Sequence, residues 1–180
     1  RDPEMSRGLG DVYKRQELEG LVLMIPRKGA EVAEITEKNM RDVLEVRKAL
    51  EELAVQLACD KITKEEIEEM KKAAEDFKKI LKSKDITEIA EADVRFHDII
   101  YMATDNQKLI QLLNNLREQM YRYRVEYLKR EEAHPQLIAE HAAIIEYISK
   151  GEKKAATDIM CKHIDNQVTT VIDVIRTKQN

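Results

Sequence analysis

The chain has no tryptophan, and aromatic residues fill only 4% of its 180 positions. Prolines number three, glycines five and cysteines two. So few breakers mark a protein built from long helices. Cys59 and Cys161 stand alone in helical context, which excludes a disulfide framework and fits a reducing cytosolic setting. No segment approaches the ~18 uninterrupted apolar residues of a membrane helix. The N-terminus also lacks the apolar stretch of a secretory signal. A net charge of −4 argues against a body coated for nucleic acid, although it leaves room for a small basic tip. The expectation is a cytoplasmic protein with no membrane association.

Charge is what the chain has in plenty, at 37% of residues. At this length there is room for one domain with a substantial core and a short appendage. The breakers are unevenly placed. Beyond residue 30 only Pro135 and Gly151 interrupt a helical pattern. Residues 1–16 show no periodicity and read as a disordered or non-native segment. Residues 17–35 differ: two apolar runs, Leu21–Ile25 and Ala30–Ile35, flank Pro26-Arg27-Lys28-Gly29. That is a hairpin signal, with two cations and a glycine at its tip. Because an isolated hairpin is marginal in water, it reads as the last piece of a larger unit.

Residues 36–180 read as a single all-α domain, an antiparallel bundle of about six helices. The first is capped by Thr36 and runs to Asp60, the second follows Thr63 to Ser83, and the third follows Asp85 to Met102. A long fourth helix is expected from Asn106 to Arg130, a fifth over 136–150 ending before Gly151, and a sixth over 152–176. Arg47 falls inside the apolar stripe of the first helix, where it would either snorkel out or pair with a nearby glutamate. Arg117, Arg122 and Arg124 lie beside the stripe of the fourth helix; one could reach a buried anion, but surface pairing is the expected fate of each. His134, before a proline, reads as a solvent-facing loop residue.

The third helix carries the chemistry. Asp93 and His97 are four residues apart on its apolar stripe, so they project from one face a turn apart. Burying a carboxylate there is costly unless cations or donors meet it. His141 and His163 sit at core-facing positions of the last two helices. Taken alone, Asp93 and His97 also fit a core histidine hydrogen-bonded to a core aspartate. With His141 and His163, one hard oxygen and three imidazoles form a set suited to a late first-row divalent ion, zinc or nickel. Such a set could close a four-coordinate structural site or keep positions open at a six-coordinate ion.

The run EGLVLMIPRKGAEVAEIT followed by VLEVRKALEELAVQLA resembles GntR-family transcription regulators, where the wing of a winged helix-turn-helix leads into an all-helical effector domain. The helical part resembles the FCD, FadR-like type. Its metal-binding branch carries D-x-x-x-H, a histidine after a glutamate and a histidine in the last helix; Asp93, His97, His141 after Glu140, and His163 fill all four positions. The resemblance implies a six-coordinate ion that senses rather than catalyses, and a small organic carboxylate as effector. It also places Arg47, in Arg47-Lys48-Ala49-Leu50-Glu51, at the pocket, and implies a homodimer. The helices that would precede the wing, including the one that reads DNA, are absent. DNA binding is therefore expected only through the full-length regulator, with Arg27 and Lys28 as weak contacts.

A helical-bundle metal-dependent hydrolase or transferase is the rival reading, using an open ion to activate water. No H-E-x-x-H is present and no paired E-x-x-H of the di-iron type. Glu140 lies next to His141 in sequence but about 100° round the helix, leaving no evident general base.

Overall fold

A computed structural model describes residues 12–14, 16–17, 21–34 and 36–179. The expectation of a disordered or non-native residue 1–16 segment falls mostly outside these residues. Within it, residues 12–14 and Gln16 have helical backbone. The hairpin forms as expected. Strand β1 (Val22–Ile25) pairs antiparallel with β2 (Gly29–Val32), Val22 opposite Val32 and Ile25 opposite Gly29. The turn between them needs left-handed backbone twice, at Arg27 (φ 70°) and Gly29 (φ 97°), and only the second is free of a side-chain penalty.

Seven α-helices follow: α1 (Glu37–Lys61), α2 (Lys64–Ile80), α3 (Ile86–Ala103), α4 (Gln107–Asn115), α5 (Arg117–Leu128), α6 (His134–Ser149) and α7 (Lys153–Gln179). Local chemistry sets their starts. The Thr36 hydroxyl accepts from Asn39 N, Thr63 and Glu66 close a reciprocal capping box, and Asp85 accepts from Thr87 N and Glu88 N.

Two expectations fail here. The long fourth helix is two helices, broken at Leu116. The chain tightens there, Leu116 N donating to the Leu113 carbonyl at 3.2 Å, directly after Asn114-Asn115, a pair of low helix propensity; the Asn114 side-chain oxygen accepts from Arg117 Nε and Nη2 at 3.2 and 2.7 Å. His134 is not a solvent-facing loop residue. It opens α6 half-buried, ahead of a proline well suited to a first turn, with Nε2 2.8 Å from the Leu128 carbonyl oxygen.

The core divides in a way that positions the site. One apolar cluster is built from Ala54, Val55, Phe96, Ile100, Ile144 and Met160 with their neighbours. The other holds Met40, Leu44, Ile89, Met120, Leu137 and Val171. Between these two sets, the inward-facing positions of α1, α3, α6 and α7 hold Arg47, Glu51, Asp93, His97, Glu140, His141, His163 and Gln167, all polar and all buried. The bundle thus carries a polar layer one helical turn thick between two apolar ones.

Candidate metal centre

Each helix of the bundle core contributes one turn to that layer. Helix α1 places Arg47 and Glu51, α3 places Asp93 and His97, α5 places Arg124, α6 places Glu140 and His141, and α7 places His163 and Gln167. Every one is buried, with no more than 3% of its surface exposed. Ligand-type atoms of His97, His141 and His163 all lie within 4.8 Å of one another. Asp93 stands beside this group, its Oδ1 3.1 Å from His141 Nε2 and its Oδ2 3.9 Å from His97 Nε2. Neither contact has hydrogen-bond direction; His97 Nε2 and both His141 ring nitrogens are buried without a hydrogen bond, as are the carboxylate oxygens, although Oδ2 is ion-paired to Arg124. Buried polar atoms left in this state are costly, which marks a site built for something else to bind.

The surrounding residues explain how the rings are held. Glu51 Oε2 lies 3.3 Å from His97 Nδ1, and Glu140 Oε2 lies 2.9 Å from His163 Nδ1. A carboxylate on Nδ1–H fixes the tautomer and leaves Nε2 as the electron-pair donor, the arrangement that supports metal-binding imidazoles. Phe96 stacks on His141 with centroids 4.0 Å apart and sets its plane. The donor set therefore fits a divalent ion: three imidazoles with free or lightly held Nε2 atoms, and a carboxylate beside them. His163 Nε2 is 2.9 Å from Gln167 Nε2, a contact that gives way when the ring ligates an ion.

Charge shifts follow from burial and pairing. Burial pushes the His97 ring down to about 4 and lowers His141, so both are neutral and able to ligate at pH 7. For Asp93, burial is outweighed by the Arg124 guanidinium and the imidazoles, and its carboxyl lies well below the usual range. Glu51 behaves in the same way: burial raises it, but His97, Arg47 and the Tyr101 hydroxyl together hold it low. It accepts from Arg47 Nε at 2.8 Å and from the Tyr101 hydroxyl at 2.6 Å.

Arg47 does not snorkel. It is 1% exposed, ion-paired to Glu51, and donates from Nη1 to Gln167 Oε1 at 2.7 Å; its Nη2 has no hydrogen bond. Surface pairing proves wrong for Arg124, which is buried against Asp93 with Nε 2.5 Å from Oδ2. Arg117 pairs with Asp98 at the surface, as expected. Sequence reasoning also missed Glu51 and set Glu140 aside on its helical angle, yet its flexible side chain reaches His163. Arg27 and Lys28 are not among these residues; they sit in the exposed hairpin turn.

Residues 42–166 match the FCD domain family. The chain belongs to the FCD family. Among proteins similar to this FCD domain is the HTH-type transcriptional regulator YdhC of Bacillus subtilis, 26% identical over 151 residues that span 83% of this chain and 67% of that protein. The gluconate operon transcriptional repressor of the same organism is 23% identical over 163 residues, again 67% of its length. By structure, the domain resembles E. coli McbR/YncC at a TM-score of 0.82 with 15% identity, covering 91% of this chain and 82% of that one. It also resembles the metal-free FCD domain of TM0439 at 0.67 with 26% identity, covering 81% of this chain and 99% of that one. YdhC, the gluconate operon repressor and TM0439 are each named as transcriptional regulators. Among the described residues, no helix is long and apolar enough to cross a membrane.

Proposed function

We propose that this FCD domain is the effector-sensing part of a DNA-binding transcription regulator. A divalent ion, zinc or nickel by donor type, is held by His97, His141 and His163 with Asp93, and a small organic carboxylate binds between that ion and Arg47. The ion supplies a Lewis-acidic partner for one carboxylate oxygen. The observation that carries this reading is Arg47 Nη2, a guanidinium donor sealed in the core with no acceptor, in the same layer as the unpaired ring nitrogens of His97 and His141. An arginine fork completes itself on a carboxylate by charge-assisted hydrogen bonds.

The charge balance of the layer agrees. Two guanidiniums, Arg47 and Arg124, face three carboxylates, Glu51, Asp93 and Glu140, while the histidines counted neutral add nothing. The layer is thus one negative charge in surplus. A divalent ion turns this into one positive charge, and a monocarboxylate removes it. Helix α1 carries Arg47 and Glu51 and begins five residues after β2, so ligand-driven repacking at Arg47 is passed toward the N-terminal side. Arg27 and Lys28, at the exposed hairpin tip, add weak, salt-sensitive contacts to DNA when the rest of a DNA-binding domain is present. A homodimer is the assembly that goes with this reading.

The test is a thermal-shift screen of small carboxylates on zinc-loaded protein, repeated after chelation. A true effector raises the melting temperature by mass action, and the effect disappears with the ion. It weakens in Arg47→Ala and is restored only in part by Arg47→Lys, which lacks the planar fork. Recovery of the ligand unchanged supports a sensor. Metal-dependent turnover, lost in His141→Ala, overturns it.

A further inference from the structure

The centre is closed, so whatever binds there needs a way in. The space beside His97, Tyr101 and Arg124 is a cavity of only about 10 Å³, about the room of one water molecule. Its outer wall is made by Asp98 and Arg117. Outside that wall lies an open groove of about 350 Å³ between α3 and α5, lined in part by Arg95, Glu118 and Tyr121. Val94 and Arg117 line both spaces, so Arg117 stands between surface and centre.

The side chain is held there by contacts that can be exchanged. Arg117 Nη2 donates to Asp98 Oδ1 at 2.7 Å and Nη1 to Asp98 Oδ2 at 3.1 Å, while Asn114 Oδ1 accepts from Nε and Nη2. Both partners of the ion pair are about one-third exposed, at 37% and 36%, so water competes for it and it is cheap to open. The backbone is suited to movement as well. Arg117 is the first residue of α5, which follows directly on the break at Leu116 and has no side-chain cap.

We propose that the seam between α3 and α5 is the passage to the centre and that Arg117 is its gate. A carboxylate arriving in the groove replaces the Asp98 carboxylate on the same two guanidinium nitrogens, and the wall opens as it binds. This rests on the functional reading above, and it assigns Arg117 a role in capture and access, not in final coordination. A second groove, about 390 Å³ between α2 and α6, reaches His141 from the opposite side. Phe77 and His141 both line it, their rings packed with centroids 5.1 Å apart and His141 only 1% exposed, and no ion pair like that of Asp98 and Arg117 bridges it.

Access can be read without any ligand, using diethyl pyrocarbonate as the probe and site-by-site mass spectrometry of the histidines. The proteins are the parent, Asp98→Asn, Arg117→Gln and the swapped pair Asp98→Arg with Arg117→Asp. Weakening an ion pair of this exposure should speed His97 modification about two- to fivefold in both single variants, with His134 unchanged. The swapped pair should return His97 towards the parent rate, which a simple packing defect would not do. Unchanged His97 rates overturn the gate, as does equal acceleration at His97, His141 and His163, which would report a loosened fold. Acceleration at His141 alone would place the passage at the α2–α6 groove instead. Zinc uptake, followed with a competing chromophoric chelator, should quicken by the same factor as His97. No zinc uptake by any of the four proteins would overturn the metal reading, while the passage still stands or falls on the His97 rates.

Discussion

Replacing Glu51 with alanine should be among the most damaging single changes in this domain, although no ligand role is assigned to it. The carboxylate is fully buried and serves three groups at once: the Arg47 guanidinium, the Tyr101 hydroxyl and His97 Nδ1. Removing it leaves Arg47 as a buried, unpaired charge, which costs about 3–5 kcal/mol. A buried hydroxyl without an acceptor costs about 1–3 kcal/mol more, though the two penalties overlap because water can enter the same gap. In a chain of this size each kcal/mol lowers the melting temperature by about 2–4 °C, so a fall of roughly 6–20 °C is expected. The assay is urea unfolding of chelator-treated protein, comparing midpoints at equal slope. Glu51→Gln, which keeps an acceptor for Arg47, should lose less. The sharper control is Arg47→Met with Glu51→Leu, which removes the pair together. Because the pair costs desolvation to bury, the double variant should regain most of the stability. A Glu51→Ala unfolding free energy within about 1 kcal/mol of the parent's would refute the reasoning, because it would mean that Arg47 finds solvent or another partner.

Purified protein should hold about one divalent ion per chain by elemental analysis, and His97→Ala or His163→Ala should lose it while His134→Ala keeps it. Glu140→Gln should retain the ligands yet weaken zinc about 10- to 100-fold, read by competition with a chelator, because the orientation of His163 is lost. Without metal, stability should fall with acid. The His97 ring is depressed from the ordinary 6.5 to about 4, so between those values the unfolded chain binds a proton that the folded chain does not. That removes about 3 kcal/mol as pH falls from 6.5 towards 4, and protonation of the lowered Asp93 and Glu140 carboxyls adds to the loss at lower pH. Flat urea midpoints across that window would contradict a neutral, buried His97. Cys161, pushed up to about 12 by burial and by its contact with Glu52, should alkylate slowly with iodoacetamide at pH 8; rapid labelling of the folded protein would contradict it.

The fold was legible because its signals are local and repeated. Thr36, Thr63, Asp85 and Asn106 each announce a helix start, and each side chain does cap one. The hairpin was equally plain from Pro26 to Gly29. Where reading failed, a local preference competed with periodicity. The apolar stripe runs unbroken past Asn114-Asn115, but two residues of low helix propensity stand together there and the helix divides at Leu116. Stripe membership also overstated burial: Leu53 and Leu112 sit on their helices' apolar stripes, yet are 42% and 51% exposed.

The site was half legible for a related reason. Histidines and an aspartate stand out on apolar stripes because neither type is common in a core, so Asp93, His97, His141 and His163 could be found singly and then grouped. Glutamates and arginines cannot be found that way in a chain so rich in charge, where nearly every turn carries one. Glu51 and Glu140 look, in sequence, like the exposed Glu45 and Glu146, and Arg124 looks like any other cation of its helix. What separates them is which helix lies opposite, and that is a tertiary fact. One constraint could have flagged them in advance. A buried aspartate needs a cation, and buried imidazoles that are to ligate through Nε2 need acceptors on Nδ1. Those obligations call for a cation and for several acceptors at core level, and two of the three imidazoles, His97 and His163, do find a carboxylate. Glu51 is one turn from Arg47, and Glu140 is next to His141, so each lay within reach of a residue already singled out. The helical angle that argued against Glu140 describes where Cβ points, and a glutamate's further two methylene bonds are long enough to bring its oxygens back to the neighbouring helix.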